Sequence, residues 1–155
     1  MLSRASLLTP GRYRACPFAL RAVCPMTTPS NPRLLIVDDD DVTSQTFARI
    51  LTLEGFDVRT AASAESGLRE IEALRPDAVI VDLRMPYING LGLLYRLRAV
   101  EPGRQMPVAI VTGDQCLDDS VINELRELGA EVRFKPLWVE DLVDVARSLV
   151  GSRLS

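Results

Sequence analysis

The fold is decided by the stretch Leu34-Leu35-Ile36-Val37-Asp38-Asp39-Asp40-Asp41, in which a short apolar run ends abruptly in four aspartates. An apolar run of this length is typical of a buried strand. In an open parallel sheet, ligands bind outside the carboxyl ends of the strands. Taken alone, the acidic run has two open interpretations. It is either a site for a hard cation such as Mg²⁺ or a solvated charged segment that begins a helix.

The alternation of apolar runs and helical periodicity continues along the rest of the chain. The predicted strands cover about 33–38, 57–61, 78–81, 108–111 and 131–134, and the predicted helices about 42–54, 64–74, 91–99, 119–128 and 139–150. The third and fourth runs are apolar throughout, which is typical of strands buried on both faces. These β–α units predict an α/β fold of the flavodoxin-like, doubly wound type. It has a five-stranded parallel sheet in the order 2-1-3-4-5 and helices on both faces.

Local signals place the helix ends and the buried faces. Either Asp40 or Asp41 is predicted to cap the first helix, Ser63 the second, and either Asp118 or Asp119 the fourth, while Gly55 and Gly129 end helices. The side chains assigned to the interior are Phe47, Ile50, Leu51 and Leu53 of the first helix and Leu142, Val145, Ala146 and Leu149 of the last, together with Phe134 and Trp138. Cys116 is assigned to a loop or the core.

Composition narrows the classes of function. The 155 residues include no histidine, which excludes histidine-based acid–base catalysis, and the three cysteines have no C-x-x-C spacing for a metal site. The net charge of −3 with no basic patch in the predicted domain argues against direct nucleic-acid binding. No apolar stretch reaches the roughly 20 residues of a membrane span, so a cytoplasmic protein without membrane contact is expected.

The first 31 residues differ from the remainder. They are rich in proline and arginine, show no helical or strand period, and predict a disordered N-terminal extension. The absence of acidic residues before Met26 gives this start a faint likeness to a transit peptide, and Met26 is an alternative start of the natural chain. The single predicted domain then covers residues 32–151, followed by a tail at 152–155.

Polar side chains stand at four of the five predicted strand ends. They are Asp38 with Asp39, then Asp82, Thr112 and Lys135, the only lysine of the chain. Because all strands of a parallel sheet end at one edge, these groups are expected to converge. The set suits phosphoryl transfer onto a carboxylate. Asp82 would be the nucleophile, Asp38 and Asp39 would hold Mg²⁺, Thr112 would donate its hydroxyl, and Lys135 would pair with a phosphate oxygen or with Asp82.

These segments resemble the receiver domain of two-component response regulators over about Arg33 to Val150. The motifs that carry the resemblance are Leu35-Ile36-Val37-Asp38-Asp39, Val81-Asp82-Leu83-Arg84-Met85-Pro86 with Gly90, Val111-Thr112-Gly113 and Phe134-Lys135-Pro136. The resemblance implies that Asp82 accepts phosphate from a phosphohistidine on a histidine kinase or a histidine phosphotransfer protein. It also implies Mg²⁺ bound directly by Asp39, Asp82 and the backbone carbonyl of Arg84, with Asp38 acting largely through water.

The resemblance further implies that Thr112 moves toward the phosphate, that Lys135 binds it, and that the Lys135–Pro136 bond is cis. The chain departs from the family at one place. Receivers commonly carry Tyr or Phe three residues before the lysine, whereas this chain has Val132 there, or Arg133 if the stretch is one residue shorter. Output is therefore expected through backbone shifts of the fourth helix and its flanking loops, with a downstream protein as the target.

Two other functions compete with this interpretation. Asp39-x-Asp41-x-Thr43 matches the nucleophile motif of haloacid-dehalogenase-type phosphatases, although that assignment leaves Asp82 without a role. A receiver-like interaction module that no longer takes phosphate is the second alternative, favoured mildly by the missing aromatic residue. The main prediction is a single-domain phosphoacceptor that signals by protein–protein interaction and is no enzyme beyond its own phosphorylation and dephosphorylation.

Overall fold

A computed structural model describes residues 30–101 and 103–153, and within them five strands alternate with five helices. The strands are β1 (Arg33–Val37), β2 (Asp57–Ala61), β3 (Ala78–Asp82), β4 (Val108–Thr112) and β5 (Ala130–Phe134). The helices are α1 (Asp41–Leu53), α2 (Ala64–Leu74), α3 (Gly90–Ala99), α4 (Asp119–Glu127) and α5 (Val139–Arg153), with a short 3₁₀ helix at Gly103–Gln105. The predicted elements are all present, and no end differs from its predicted position by more than three residues.

The sheet is parallel and has the strand order β2-β1-β3-β4-β5, as predicted for a doubly wound flavodoxin-like fold. Alternate side chains of the inner strands enter two separate cores. Leu35 and Val37 of β1 pack in the core formed with α2, α3 and α4, and Leu34 and Ile36 pack in the core formed with α1 and α5. This two-sided burial explains why the inner strands are apolar throughout. No helix among the described residues is long and apolar enough to span a membrane.

The structure distinguishes between the alternative caps of α1 and α4. Asp40 is the N-cap of α1, and its side chain accepts a hydrogen bond from a backbone amide of the first turn. Asp118 caps α4 in the same way, and Ser63 forms a reciprocal capping box at the start of α2. Gly55 and Gly129 follow α1 and α4 with φ of +92° and +74°, which glycine adopts without steric cost.

Three side chains assigned to the interior lie at the surface. Leu53 is 88% exposed because it lies two residues beyond the buried Leu51, and two residues turn a helix by roughly 200°. Trp138 is 72% exposed in the connection that precedes α5. Phe134 is also exposed, since burial decreases toward the carboxyl end of the edge strand β5. Cys116 lies in an exposed loop and not in the core.

Candidate functional site

The acidic cluster forms where β1 and β3 end side by side. Val37 of β1 is in register with Val81 of β3, so the residues that follow them, Asp38 and Asp82, reach the same edge of the sheet. Carboxylate oxygens of Asp38, Asp39 and Asp82 all lie within 4.8 Å of one another. Asp38 and Asp82 are only 4% and 7% exposed, whereas Asp39 is open to solvent. The cluster is therefore a buried pair of carboxylates with an exposed third member.

Lys135 joins the two buried carboxylates. Its Nζ donates hydrogen bonds to Asp82 Oδ1 at 2.9 Å and to Asp38 Oδ2 at 3.1 Å. The backbone amide of Lys135 donates to the carbonyl of Thr112 at 2.7 Å, which fixes the lysine to the end of β4. The Lys135–Pro136 peptide bond is cis, as the family resemblance implies. The chain's single lysine thus lies between carboxylates supplied by residues 53 and 97 positions away.

The electrostatics of this cluster reflect burial opposed by ion pairing. Burial raises the pKa of Asp82, and the hydrogen bond and charge of Lys135 offset this only in part. Burial also tends to lower the pKa of Lys135, but hydrogen bonds with Asp82 and Asp38 outweigh it and leave this pKa raised. Lys135 therefore remains a cation at neutral pH. Ionised Asp82 is held at an energetic cost that an added positive charge would relieve.

Thr112 completes the set predicted from the strand ends. It is the last residue of β4, is fully buried, and accepts a hydrogen bond on Oγ1 from the amide of Asp114 at 3.1 Å. Its hydroxyl proton is not used in that bond and remains available to an acceptor. The structure thus brings the predicted acids, hydroxyl and ammonium to one edge of the sheet.

The donor set suits a small hard cation. Three carboxylates converge at a partly open site, and Mg²⁺ prefers oxygen ligands while retaining several waters. Asp39 and Arg84 line the same cavity of about 520 Å³ at this edge, so residues of the β3–α3 loop lie close to the exposed member of the acidic cluster. Asp38, Asp39 and Asp82 are therefore suitable to hold such a cation.

The residues of the competing phosphatase motif have other positions. Asp41 begins α1 and is exposed, and it is not part of the acidic cluster. Thr43 donates its hydroxyl proton to Asp40 at 2.6 Å and so supports the helix cap. Asp40 and Asp41 therefore serve the start of α1, while Asp38 and Asp39 belong to the site.

Two contacts at the rim of the site were not predicted. The Arg84 side chain is 71% exposed and forms an ion pair with Asp114 of the β4–α4 loop. The side chain of Gln115 donates to the carbonyl of Lys135 at 2.9 Å. Opposite charges two residues beyond the ends of β3 and β4 are the sequence signal for the ion pair, because neighbouring strands bring their following loops together.

Comparison with known proteins supports the same assignment. The family model described as the response regulator receiver domain matches residues 34–147. The chain is 34% identical over 125 residues to the transcriptional regulatory protein PrrA of Mycobacterium leprae, covering 80% of this chain and 52% of PrrA. It is 41% identical over 88 residues to the transcriptional regulatory protein GlrR of Escherichia coli, covering 57% of this chain and 19% of GlrR. The chain thus spans about half the length of PrrA.

Solved structures agree with the fold. A CheY-like response regulator receiver domain protein from Methanospirillum hungatei superposes with a TM-score of 0.72 at 32% identity, covering 81% of this chain and 98% of that one. A putative response regulator from Chloroflexus aurantiacus gives a TM-score of 0.71 at 33% identity, covering 78% and 98% respectively. In both cases nearly the whole of the solved chain matches.

Proposed function

This chain belongs to the response regulator receiver domain family, and on that premise we propose that it accepts a phosphoryl group on Asp82 in a two-component phosphorelay. The observation that carries the proposal is the bridge from Lys135 Nζ to Asp82 and Asp38, with Asp39 close by. A structural ion pair needs one carboxylate for one ammonium. Here a single ammonium faces three clustered carboxylates, which leaves negative charge for a metal ion to balance.

In the proposed reaction an oxygen of the Asp82 carboxylate attacks the phosphorus of a phosphohistidine. A P–O bond forms, the P–N bond breaks, and the imidazole nitrogen leaves with the bonding electron pair and then takes a proton from solvent. Lys135 transfers its hydrogen bond from Asp82 to a phosphoryl oxygen, and the Thr112 hydroxyl donates to another. Mg²⁺, when held by Asp39, Asp82 and the carbonyl of Arg84, supplies positive charge against the phosphoryl oxygens.

We further propose a histidine kinase or histidine phosphotransfer protein as donor and a protein as downstream target, in the cytoplasm. The domain would then turn over no separate substrate and would catalyse only its own phosphorylation and dephosphorylation. From residue 26 onward the chain has 14 basic against 21 acidic residues, which is unfavourable for contact with a nucleic-acid backbone. The matched relatives are named as transcriptional regulatory proteins, so DNA-linked output through another domain is the alternative.

Phosphorylation by a small-molecule donor tests the proposal. Incubation with Mg²⁺ and acetyl phosphate should add the mass of one phosphate to the protein, with acetate as the leaving group. Asp82→Asn should abolish the gain, because an amide is not a competent nucleophile, whereas Asp41→Asn should keep it. No gain would favour the interaction module that takes no phosphate. A gain that survives Asp82→Asn would place the phosphate on another residue and refute the assignment of Asp82. Steady hydrolysis of a phosphomonoester that depends on Asp39 would favour the phosphatase.

A further inference from the structure

The ion pair between Arg84 and Asp114 links two loops at the rim of the acidic cluster. Arg84 lies two residues after Asp82, and Asp114 lies two residues after Thr112. Both side chains line the cavity of about 520 Å³ that also borders Asp39. The guanidinium is mostly exposed, with its side chain 71% accessible, whereas the Asp114 side chain is only 17% accessible. Arg84 is therefore a cation that can move while its partner is held.

The guanidinium of Arg84 interacts electrostatically with Asp82, the proposed phosphoacceptor. The hydrogen bond and charge of Asp114 raise the pKa of Arg84 most, and the charge of Asp82 raises it further. Arg84 in turn lowers the pKa of Asp114, together with the hydrogen bond that Asp114 accepts from the amide of Cys116. The guanidinium thus interacts with the charge of Asp82 while it is held in direct contact by Asp114.

The β4–α4 loop is held through polar contacts with residues of the site. The Asp114 amide donates to Thr112 Oγ1 at 3.1 Å, and Asp114 Oδ1 accepts from the Cys116 amide at 3.1 Å. Gln115 donates to the carbonyl of Lys135 at 2.9 Å. Together with the ion pair to Arg84, these contacts fix the loop between Thr112 and α4. Among residues 30–101 and 103–153, the ion pair of Asp114 with Arg84 is the only salt bridge between the β4–α4 loop and the β3–α3 loop, and its loss would remove that link.

We propose that Arg84 exchanges partners when Asp82 is phosphorylated. The guanidinium breaks its ion pair with Asp114 and binds a phosphoryl oxygen, which releases the β4–α4 loop. This inference rests on the proposed function, in which Asp82 carries the phosphate. A phosphoryl group adds negative charge and three strong acceptor oxygens where the carboxylate had a single charge. The planar guanidinium is suited to bind such a group with two parallel hydrogen bonds. Phosphorylated Asp82 is thereby a stronger partner for the Arg84 guanidinium than the Asp114 carboxylate.

Cys116 supplies a reporter of the loop, since it is exposed and lies two residues after Asp114. In a Cys16→Ser/Cys24→Ser background, the rate of its modification by a thiol reagent reports changes in the conformation and flexibility of the loop around the exposed thiol. In unphosphorylated protein without Mg²⁺, Arg84→Met and Asp114→Asn should each raise the rate by about two- to five-fold, the effect of losing an exposed ion pair. Asp114→Asn retains the side-chain oxygen that accepts from the Cys116 amide, so it removes mainly the charge.

Phosphorylation with acetyl phosphate and Mg²⁺ should raise the rate in the wild-type background by a similar factor. The increment should disappear in Arg84→Met and persist in Arg84→Lys, because a lysine can bind phosphate as a point charge. Arg147→Met is the matched control. It breaks an exposed ion pair with Glu54 at 2.9 Å between α5 and α1, remote from the loop, and should leave every rate unchanged.

The outcomes separate this inference from the function on which it rests. A phosphate mass gain with no change in the Cys116 rate would overturn the exchange and leave Asp82 as the phosphoacceptor. Unchanged rates in unphosphorylated Arg84→Met and Asp114→Asn would overturn the restraint on the loop whether or not Asp82 takes phosphate. An increment that persists in Arg84→Met would assign the loop movement to another group. No mass gain in the wild-type background would overturn both.

Discussion

Replacement of Gly90 by alanine should distort the end of β3 that carries Asp82. Gly90 begins α3, and a Cβ there would lie 2.6 Å from the carbonyl oxygen of Asp82 and 3.0 Å from the Cα of Leu83. Both are backbone atoms, so no rotation of a side chain relieves the overlap. Gly90 also donates its amide hydrogen to the carbonyl of Leu83 at 3.0 Å, which holds the helix start in place. Overpacking of this kind costs about 1–3 kcal/mol.

Urea unfolding measures this cost. Gly90→Ala should lower the midpoint with little change in the denaturant slope, giving a free energy of unfolding lower by about 1–3 kcal/mol. Gly151→Ala in α5 is the control. A Cβ there meets no atom within 4 Å, and alanine is the better helix former by up to about 1 kcal/mol. A free energy of unfolding for Gly90→Ala within about 0.5 kcal/mol of that of the unmodified protein, the range of ordinary surface substitutions, would refute the argument from the close contact.

The position of the overlap adds a functional consequence. Because the added atom presses on the Asp82 carbonyl, Gly90→Ala should reduce phosphate incorporation more than a variant of similar instability elsewhere. Ile71→Val in α2 is such a variant, since Ile71 is buried and the loss of one methylene costs about 0.5–1.5 kcal/mol. Incorporation by Gly90→Ala equal to that of Ile71→Val would show that the strand end tolerates the shift.

Three further predictions concern the charges of the site. Saturating Mg²⁺ should raise the melting temperature, because a ligand at a hundred times its dissociation constant stabilises the folded state by about 2.7 kcal/mol. Asp39→Asn should remove most of this temperature shift, and equal shifts in both proteins would contradict the metal assignment. Without divalent ions at pH 7, Asp82→Asn should increase the free energy of unfolding, because the raised pKa means that burial penalises the ionised form that predominates there; a decrease measured in urea would contradict this. Lys135→Arg should lower phosphate incorporation from acetyl phosphate, because a planar guanidinium does not replace a compact ammonium between two carboxylates; incorporation at the unmodified level would argue against that role.

The strand order and the two-sided core follow from patterns that the sequence states directly. Apolar runs without alternation indicate burial on both faces, and right-handed crossovers leave few ways to arrange five such units. The cap of α1 could be narrowed only to Asp40 or Asp41, because both carry the same side chain. Backbone geometry decides between them, since Asp40 has the extended φ and ψ of an N-cap and Asp41 is already helical.

The exposure of individual side chains is harder to predict from the sequence, because it depends on how helices and strands pack against one another. Leu53 follows the apolar residues of α1 in sequence but lies on the opposite side of the helix. Large aromatic side chains usually pack, which predicts an interior position for Trp138 and Phe134. Their exposure depends on where β5 lies in the sheet and on how the chain enters α5. Neither property has a signal in the local sequence.

The same distinction separates the two halves of the site. Asp82, Thr112 and the strand ends were predictable because topology alone brings them to one edge. The contacts of Arg84 and Asp114 depend on loop conformation, and the sequence showed only that opposite charges follow neighbouring strands. The proposed signalling requires a residue that moves when Asp82 is phosphorylated and contacts that connect this residue to a surface helix. The residues at the strand ends do not supply these contacts.

The β4–α4 loop can provide that path in a chain without the usual aromatic residue. Val132 is half-buried and packs against the core that contains α4, and Arg133 forms an ion pair with Glu131, so neither presents a ring that could move inward. Asp118, the N-cap of α4, lies four residues after Asp114. Under the proposed exchange, a shift of Asp114 would be transmitted through this short segment to the cap that fixes the start of α4. Under the proposed exchange, the polar contacts around Asp114 would couple Asp82 to α4, and modification of the exposed Cys116 would report that coupling.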